Sequence, residues 1–183
     1  TVLYTINSVI CANPHMYAKL PYDGLRSFAP VSLFVNLGYV LIGRPDLPAA
    51  TMKELIEYGK ANPGKLSYAS AGGGSGPHIV MELLAGMAGI DLLHVPGRAQ
   101  ATPAVLSGEV DLTLSPYTTG VPVAKAGKAR VFGVTLGKRL PSIPDVPTIG
   151  EFVPGYSSHG WFGFLGPAGL PAPIVNRLNE EIN

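Results

Sequence analysis

Residues 66–78 read Leu-Ser-Tyr-Ala-Ser-Ala-Gly-Gly-Gly-Ser-Gly-Pro-His. A short β-prone run ends in a glycine-rich turn, and apolar residues at helical spacing begin directly after it. A strand-to-helix turn of this kind points several backbone N–H groups into one small space. The first turn of the helix adds its own unpaired donors and the positive end of its dipole. Such a construction holds an anion without a charged side chain. The known phosphate patterns do not fit: no lysine follows Gly76, and Pro77 stands where the third glycine of a Gly-x-Gly-x-x-Gly fingerprint belongs. The hydrolase elbow Gly-x-Ser-x-Gly fails as well, because Gly73-Gly74-Ser75-Gly76 runs into Pro77. A small carboxylate is the leading guest for Ser70, Ala71, Gly72, Gly73, Gly74 and Ser75. The alternative, a tight turn with no ligand, stays open at this level.

The segments on either side supply the scaffold. β-prone runs stand at 2–6, 31–35, 39–42, 66–69, 91–95, 110–114, 129–134 and 160–165. Thr51 with Glu54 forms a capping box for a helix that Asn62-Pro63-Gly64 stops. Ile79, Val80, Leu83, Leu84 and Met87 mark the buried side of the next helix, which Gly89 ends. Thr102-Pro103 opens a short third helix, 121–126 forms a fourth, and 173–183 a last one. A second capping box falls at Thr148–Glu151, and 13–30 is expected to be ordered loop. Strand and helix alternate between about 40 and 135, which implies crossover connections and a largely parallel sheet. In such sheets ligands sit beyond the carboxyl ends of strands. Ser70–Ser75 lies at one such end and Ser115 at another.

Charged residues make up only 14% of the 183 and the net charge is +1. That leaves no basic footprint for nucleic acid and no membrane-surface patch. Apolar runs are interrupted too often to span a bilayer. The single cysteine, Cys11, excludes an internal disulfide and a zinc knuckle. None of the histidines (His15, His78, His94, His159) pairs with another at metal-ligand spacing, so neither a metal nor a cofactor is expected. His94, inside an apolar strand, reads as a hydrogen-bonded core residue. His78, in the first turn after the glycine loop, is placed either to donate to a carboxylate or to cap local backbone. The carboxylates are scattered, with no pair for acid–base work. A hydrolase using Ser70 or Ser75 with His78 as base is the enzymatic alternative. An effector-sensing domain of a transcription regulator is another. The chain opens in a β-prone run and stops within a helical pattern, which reads as truncation at both ends.

Several segments, taken together and in order, resemble a known family: Lys19-Leu20-Pro21-Tyr22-Asp23, Phe28-Ala29-Pro30-Val31, Pro63-Gly64-Lys65-Leu66-Ser67-Tyr68-Ala69-Ser70-Ala71-Gly72, His94-Val95-Pro96, Gly108-Glu109-Val110-Asp111-Leu112, Pro144-Asp145-Val146-Pro147-Thr148 and Trp161-Phe162-Gly163. They are similar to the solute-binding receptors of tripartite tricarboxylate transporters, the Bug-type periplasmic receptors, over essentially the whole chain. The resemblance implies an α/β, two-lobed, periplasmic-binding-protein-like fold of type II, the flytrap kind. One lobe would comprise 1–43 and 136–183, the other 44–135, with 39–43 and 131–135 as hinge strands. It implies a monomeric periplasmic receptor without chemistry, which binds a small organic carboxylate and delivers it to the permease subunits. The implied ligand positions are Ser70–Ser75 with His78 on one lobe and Asn7-Ser8 on the other, with Ser115 at the next strand end. The loop after Pro96 is expected to be shorter than in the family.

Overall fold

The computed structural model describes residues 1–97 and 101–183. By internal contacts it divides into Thr1–Leu37 with Gly160–Asn183, and Gly38–His159.

The first unit is a three-stranded antiparallel sheet, β1 (Leu3–Ile6), β2 (Phe28–Leu37) and β8 (Gly160–Pro167), with β8 in the middle. Leu3 lies opposite Leu165, and Leu37 opposite Gly160. Pro30 is tolerated because β2 is an edge strand, and the ladder shifts register beside it. Tyr4, Phe34, Phe162 and Phe164 form an aromatic cluster, with Tyr4 and Phe34 exposed. Of the loop expected over 13–30, residues 13–16 are helical and 28–30 belong to β2, while 17–27 are loop as expected. A wide helical turn over Ser8–Ala12 runs into α1 (Asn13–Met16), which has Pro14 in its first turn. The Tyr22 hydroxyl accepts from Asn13 Nδ2 at 3.1 Å and donates to the Val9 carbonyl at 2.8 Å, which pins this turn.

The second unit holds all the buried apolar clusters among the described residues. Its five-stranded sheet has the order β5 (Leu92–Val95), β4 (Leu66–Ala69), β6 (Leu112–Pro116), β3 (Tyr39–Gly43), β7 (Arg130–Val134). β4 pairs in parallel with β5 and β6, whereas β3 runs antiparallel to both β6 and β7. The expected parallel sheet is therefore present with one reversed strand inserted between β6 and β7. The divisions expected after residue 43 and before 136 differ from the division by contacts. β3 and β7 pair within this sheet, and Ile149, Val153 and Tyr156 pack into its main core.

Helices α2 (Met52–Ala61), α3 (Gly76–Ala88), α4 (Ala101–Leu106) and α5 (Tyr117–Lys125) connect the strands, and α6 (Ala172–Ile182) packs on β2. The Thr51 hydroxyl accepts from the Glu54 amide at 3.2 Å; the Glu54 carboxylate reaches back to Ala50 N–H instead of the expected Thr51 N–H. Gly89 ends α3 in the left-handed conformation, φ 66°, with Ile90 N–H on the Ala85 carbonyl at 3.0 Å.

The second capping sequence starts a single 3₁₀ turn, Ile149–Glu151, rather than a longer helix. Glu151 accepts the Thr148 amide at 2.9 Å and a two-pronged contact from Arg139, Nε at 2.9 Å and Nη2 at 2.6 Å. The Arg139 side chain first, then the Thr148 amide, hold the Glu151 carboxyl at about 2 against a usual 4.5. Because the folded value is depressed, the pair's contribution is complete above pH 4.5. It is lost as pH falls toward 2. A carboxyl-carbon NMR titration should place the Glu151 midpoint near 2; a midpoint at 4.5 would show that the pair does not form.

Candidate functional site

Strands β4 to β7 other than the reversed β3 share one direction, so their carboxyl ends, and the amino end of β3, define one edge of the second unit's sheet. The glycine loop leaves β4 at this edge. Gly72 (φ 139°) and Gly74 (φ 79°) take conformations that side-chain-bearing residues rarely adopt. A Cβ on Gly72 or Gly73 would meet nothing within 4 Å, whereas one on Gly76 would lie 2.8 Å from the Tyr39 hydroxyl. Gly76 thus lets α3 begin close against β3.

The loop uses several of its own donors. Ser70 N–H goes to the Val95 carbonyl (3.4 Å), Gly72 N–H to Ser70 Oγ (3.1 Å), Gly74 N–H to His78 Nδ1 (3.1 Å) and Ser75 N–H to the Gly72 carbonyl (3.2 Å). Ser75 Oγ donates to the same Gly72 carbonyl at 2.7 Å. The expectation that the whole loop offers its amides is thereby narrowed. Among the described residues, only the Ala71 and Gly73 N–H groups between Ser70 and Ser75 take no partner. Both residues are exposed. The adjoining α3 is 13 residues long and contributes its dipole at the same place.

Side chains behind the loop form a stacked column. Tyr68 and His94 face each other across the parallel β4–β5 ladder, their rings 4.7 Å apart and inclined by only 18°. His78, reaching from α3, lies against the His94 ring, with centroids 4.3 Å apart and planes inclined by 31°. His94 Nε2 lies 2.7 Å from Ser70 Oγ, and Ser70 is fully buried. The Tyr68 hydroxyl donates to Glu82. Burial first, and then Glu82, push the Tyr68 phenol far above its usual range. Burial, followed by the neighbouring His78, holds His94 below the usual histidine value, against an upward pull from Glu82.

Of the residues expected at the site, Ser70, Ala71, Gly72, Gly73, Gly74, Ser75 and His78 come together here. Ser115 sits at the carboxyl end of β6 but is buried, its hydroxyl accepting from Thr102 at 2.9 Å and lying 3.4 Å from the Pro116 carbonyl. Asn7 and Ser8 belong to the first unit, where Ser8 is buried in the wide helical turn and Asn7 immediately precedes it. The loop after Pro96, expected from sequence to be short, includes residues 98–100, which lie outside the described residues. His94, read from sequence as a core residue, is bonded as expected yet belongs to the loop's support. No spacing signals its pairing with His78, since strand register and a helix crossing create it. Among the described residues no group of histidine, cysteine and carboxylate side chains is arranged to hold a metal. No helix there is long and apolar enough to cross a membrane.

A model described as the tripartite tricarboxylate transporter family receptor matches residues 1–183. A UPF0065 protein from the tcbD–tcbE intergenic region of Pseudomonas sp. is 38% identical over 183 residues, covering 97% of this chain and 54% of that protein. Among solved structures, R. palustris Rpa4515 with adipate superposes with a TM-score of 0.88 at 31% identity, over 99% of this chain and 62% of that one. The periplasmic binding protein BugD gives 0.86 at 33%, over 99% and 61%. MatC (Rpa3494) from Rhodopseudomonas palustris with bound malate gives 0.86 at 29%, over 99% and 63%. This chain thus spans little more than half the length of its sequence relatives. The fold is that of these binding proteins, as the sequence resemblance implied.

Proposed function

The chain belongs to the tripartite tricarboxylate transporter receptor family, and from that premise we propose that it serves as a periplasmic receptor for a small organic carboxylate, which it hands to the permease subunits of a tripartite transporter. The observation that carries this reading is the pair of unpartnered amides, Ala71 and Gly73, set beside the amino end of α3. Amide donors and a helix dipole suit a carboxylate, and the absence of lysine or arginine within 70–78 makes a multiply charged phosphate a poor guest. Adipate and malate, the acids bound to two structural neighbours, are the first ligands to try. The proposed ligand contacts are the Ala71 and Gly73 amides within Ser70–Ser75, beside His78, and Ser115, Asn7 and Ser8 are further proposed ligand positions. The receptor acts as a monomer and carries out no chemistry.

The hydrolase reading finds less support. Ser70 is buried and faces His94, while His78 Nδ1 accepts the Gly74 amide and Ser75 Oγ donates to a carbonyl. No serine here has both an exposed hydroxyl and a free imidazole.

A thermal-shift panel of carboxylates tests the receptor reading. A specific acid present at 100 times its dissociation constant should stabilise the folded chain by about 2.7 kcal/mol. A panel in which only nucleotides or phosphosugars stabilise the protein would overturn it.

A further inference from the structure

We propose that His94 is the positioning residue of the glycine loop, acting through Ser70 to hold the Gly72 amide and so leave the Ala71 and Gly73 amides unpaired for a carboxylate. The proposal rests on the receptor reading above and assigns His94 a task within it. The ring has two ring neighbours: Tyr68, nearly parallel to it with centroids 4.7 Å apart, and His78, tilted by 31° with centroids 4.3 Å apart. Its in-plane position is fixed by β5, whose register puts His94 opposite Tyr68. A side chain held this way presents Nε2 at one defined point, and Ser70 Oγ occupies that point at 2.7 Å.

Ser70 then acts as a junction. Its oxygen accepts the Gly72 amide at 3.1 Å and lies 3.2 Å from the Gly72 carbonyl. The Gly72 carbonyl in turn accepts both the Ser75 amide and the Ser75 hydroxyl, closing the loop ahead of α3. Gly72 has φ 139°, a conformation that needs local bonds to hold it in place of the many others open to glycine. With Ser70 fully buried, no water is at hand to replace a missing imidazole. The second histidine reinforces the arrangement, since His78 stacks on His94 with its ring while its Nδ1 holds the Gly74 amide. Alternate amides, Gly72 and Gly74, are therefore tied to the column behind the loop. Ala71 and Gly73, the ones between and before them, are not.

Three variants of the whole chain test this, read first without any ligand. In protein labelled at glycine and leucine, His94→Phe keeps a flat ring in the stack but removes the bond to Ser70, and should speed exchange of the Gly72 amide by about tenfold. His94→Gln returns a hydrogen-bonding group near Nε2 and should restore most of the protection. A side chain needed only for packing would give the opposite order, with Phe the better replacement. Ser70→Ala cuts the relay at its other end and should match His94→Phe, with the double variant no worse than either. Slow exchange at Leu41 in each variant confirms an intact sheet. The same samples are titrated with malate and adipate, and affinity should fall about tenfold in His94→Phe and recover in His94→Gln. Gly72 protection that is unchanged in both His94→Phe and Ser70→Ala would overturn the assignment, whatever the acids do. If protection follows the expected order while neither these acids nor any other carboxylate binds the unaltered chain, the receptor reading falls and the loop assignment stands.

Discussion

Phe132→Ala is expected to lower the stability of the folded chain by about 3–5 kcal/mol, a large part of the 5–15 kcal/mol typical of a whole domain. Phe132 is 1% exposed on β7, within the main core cluster that joins β3, β4 and β6 to α2 and α3. Its ring occupies the space that Gly43 leaves open on the neighbouring strand. A Cβ at Gly43 would lie 2.7 Å from the ring, 2.8 Å from Leu112 Cδ2 and 2.8 Å from Leu47 Cδ1. Removing the ring therefore empties a volume walled by several fixed side chains, which cannot collapse to fill it. Urea denaturation should show a lower midpoint with an unchanged slope. Gly43→Ala alone should cost about 1–3 kcal/mol through overpacking. In the Phe132→Ala background its cost should fall, though not vanish, since Leu112 and Leu47 remain in the way. A Phe132→Ala loss below about 1 kcal/mol, or additive single effects, would mean that the ring does not fill this space.

What could be read from sequence was what depends on neighbours along the chain. The helix 52–61 announces itself through Thr51, Glu54 and the stop at Asn62-Pro63, and the structure follows it residue for residue. Gly89 is legible as the stop of α3, but the buried side of that helix differs from the expected one: Val80 and Leu84 are buried together with Met81, Ala85 and Ala88, whereas Ile79, Leu83 and Met87 are exposed. The run 39–42 is recognisable as an apolar strand, which the structure extends to Gly43, and every residue of it is buried. Its reversed direction is not recognisable, because polarity is decided by which strands it lies between, long after or before it in the chain. Residues 8–16 were harder for a different reason. Val9 and Ile10 are β-branched and favour extended backbone, and the helical turn survives because Tyr22, from a later loop, holds the Val9 carbonyl. At the candidate site the glycine loop was legible as a sharp strand-to-helix turn. Which of its amides stay unpaired was not, since that depends on Ser70, His78 and His94 meeting. His94 joins them only because the β4–β5 register puts it beside Tyr68. Local chemistry thus located the loop, and non-local pairing decides how it is held.

Asp111→Ala is the second substitution with a large expected cost, about 2–3 kcal/mol, and it acts at the end of β4 away from the loop. Asp111 joins the chain segments flanking the sheet's amino edge. Its Oδ2 accepts both the amide (2.8 Å) and the hydroxyl (2.7 Å) of Ser67 on β4, while its Oδ1 meets Arg44 Nη2 at 2.9 Å just after β3. The backbone repeats the connection, with Arg44 N–H on the Asp111 carbonyl at 3.0 Å and Asp111 N–H on Ser67 Oγ at 3.0 Å. Breaking a fully buried pair costs about 3–5 kcal/mol. Here Arg44 and Asp111 side chains are 29% and 16% exposed, so water screens part of the loss. Arg44 also keeps Asp46 as a second, mostly solvated partner at 3.5 Å. Asp111→Asn retains an acceptor for Ser67 but not the charge, and should lose about half as much. In a chain of this size the alanine variant should melt about 5–10 °C lower. A melting point within about 1 °C of the unaltered protein would show that the network adds nothing. Because β4 transmits no hydrogen bond from Ser67 to Ser70, Gly72 amide protection should survive in Asp111→Ala. Its loss there would mean that the glycine loop is positioned by the strand as a whole and not by the His94–Ser70 contact.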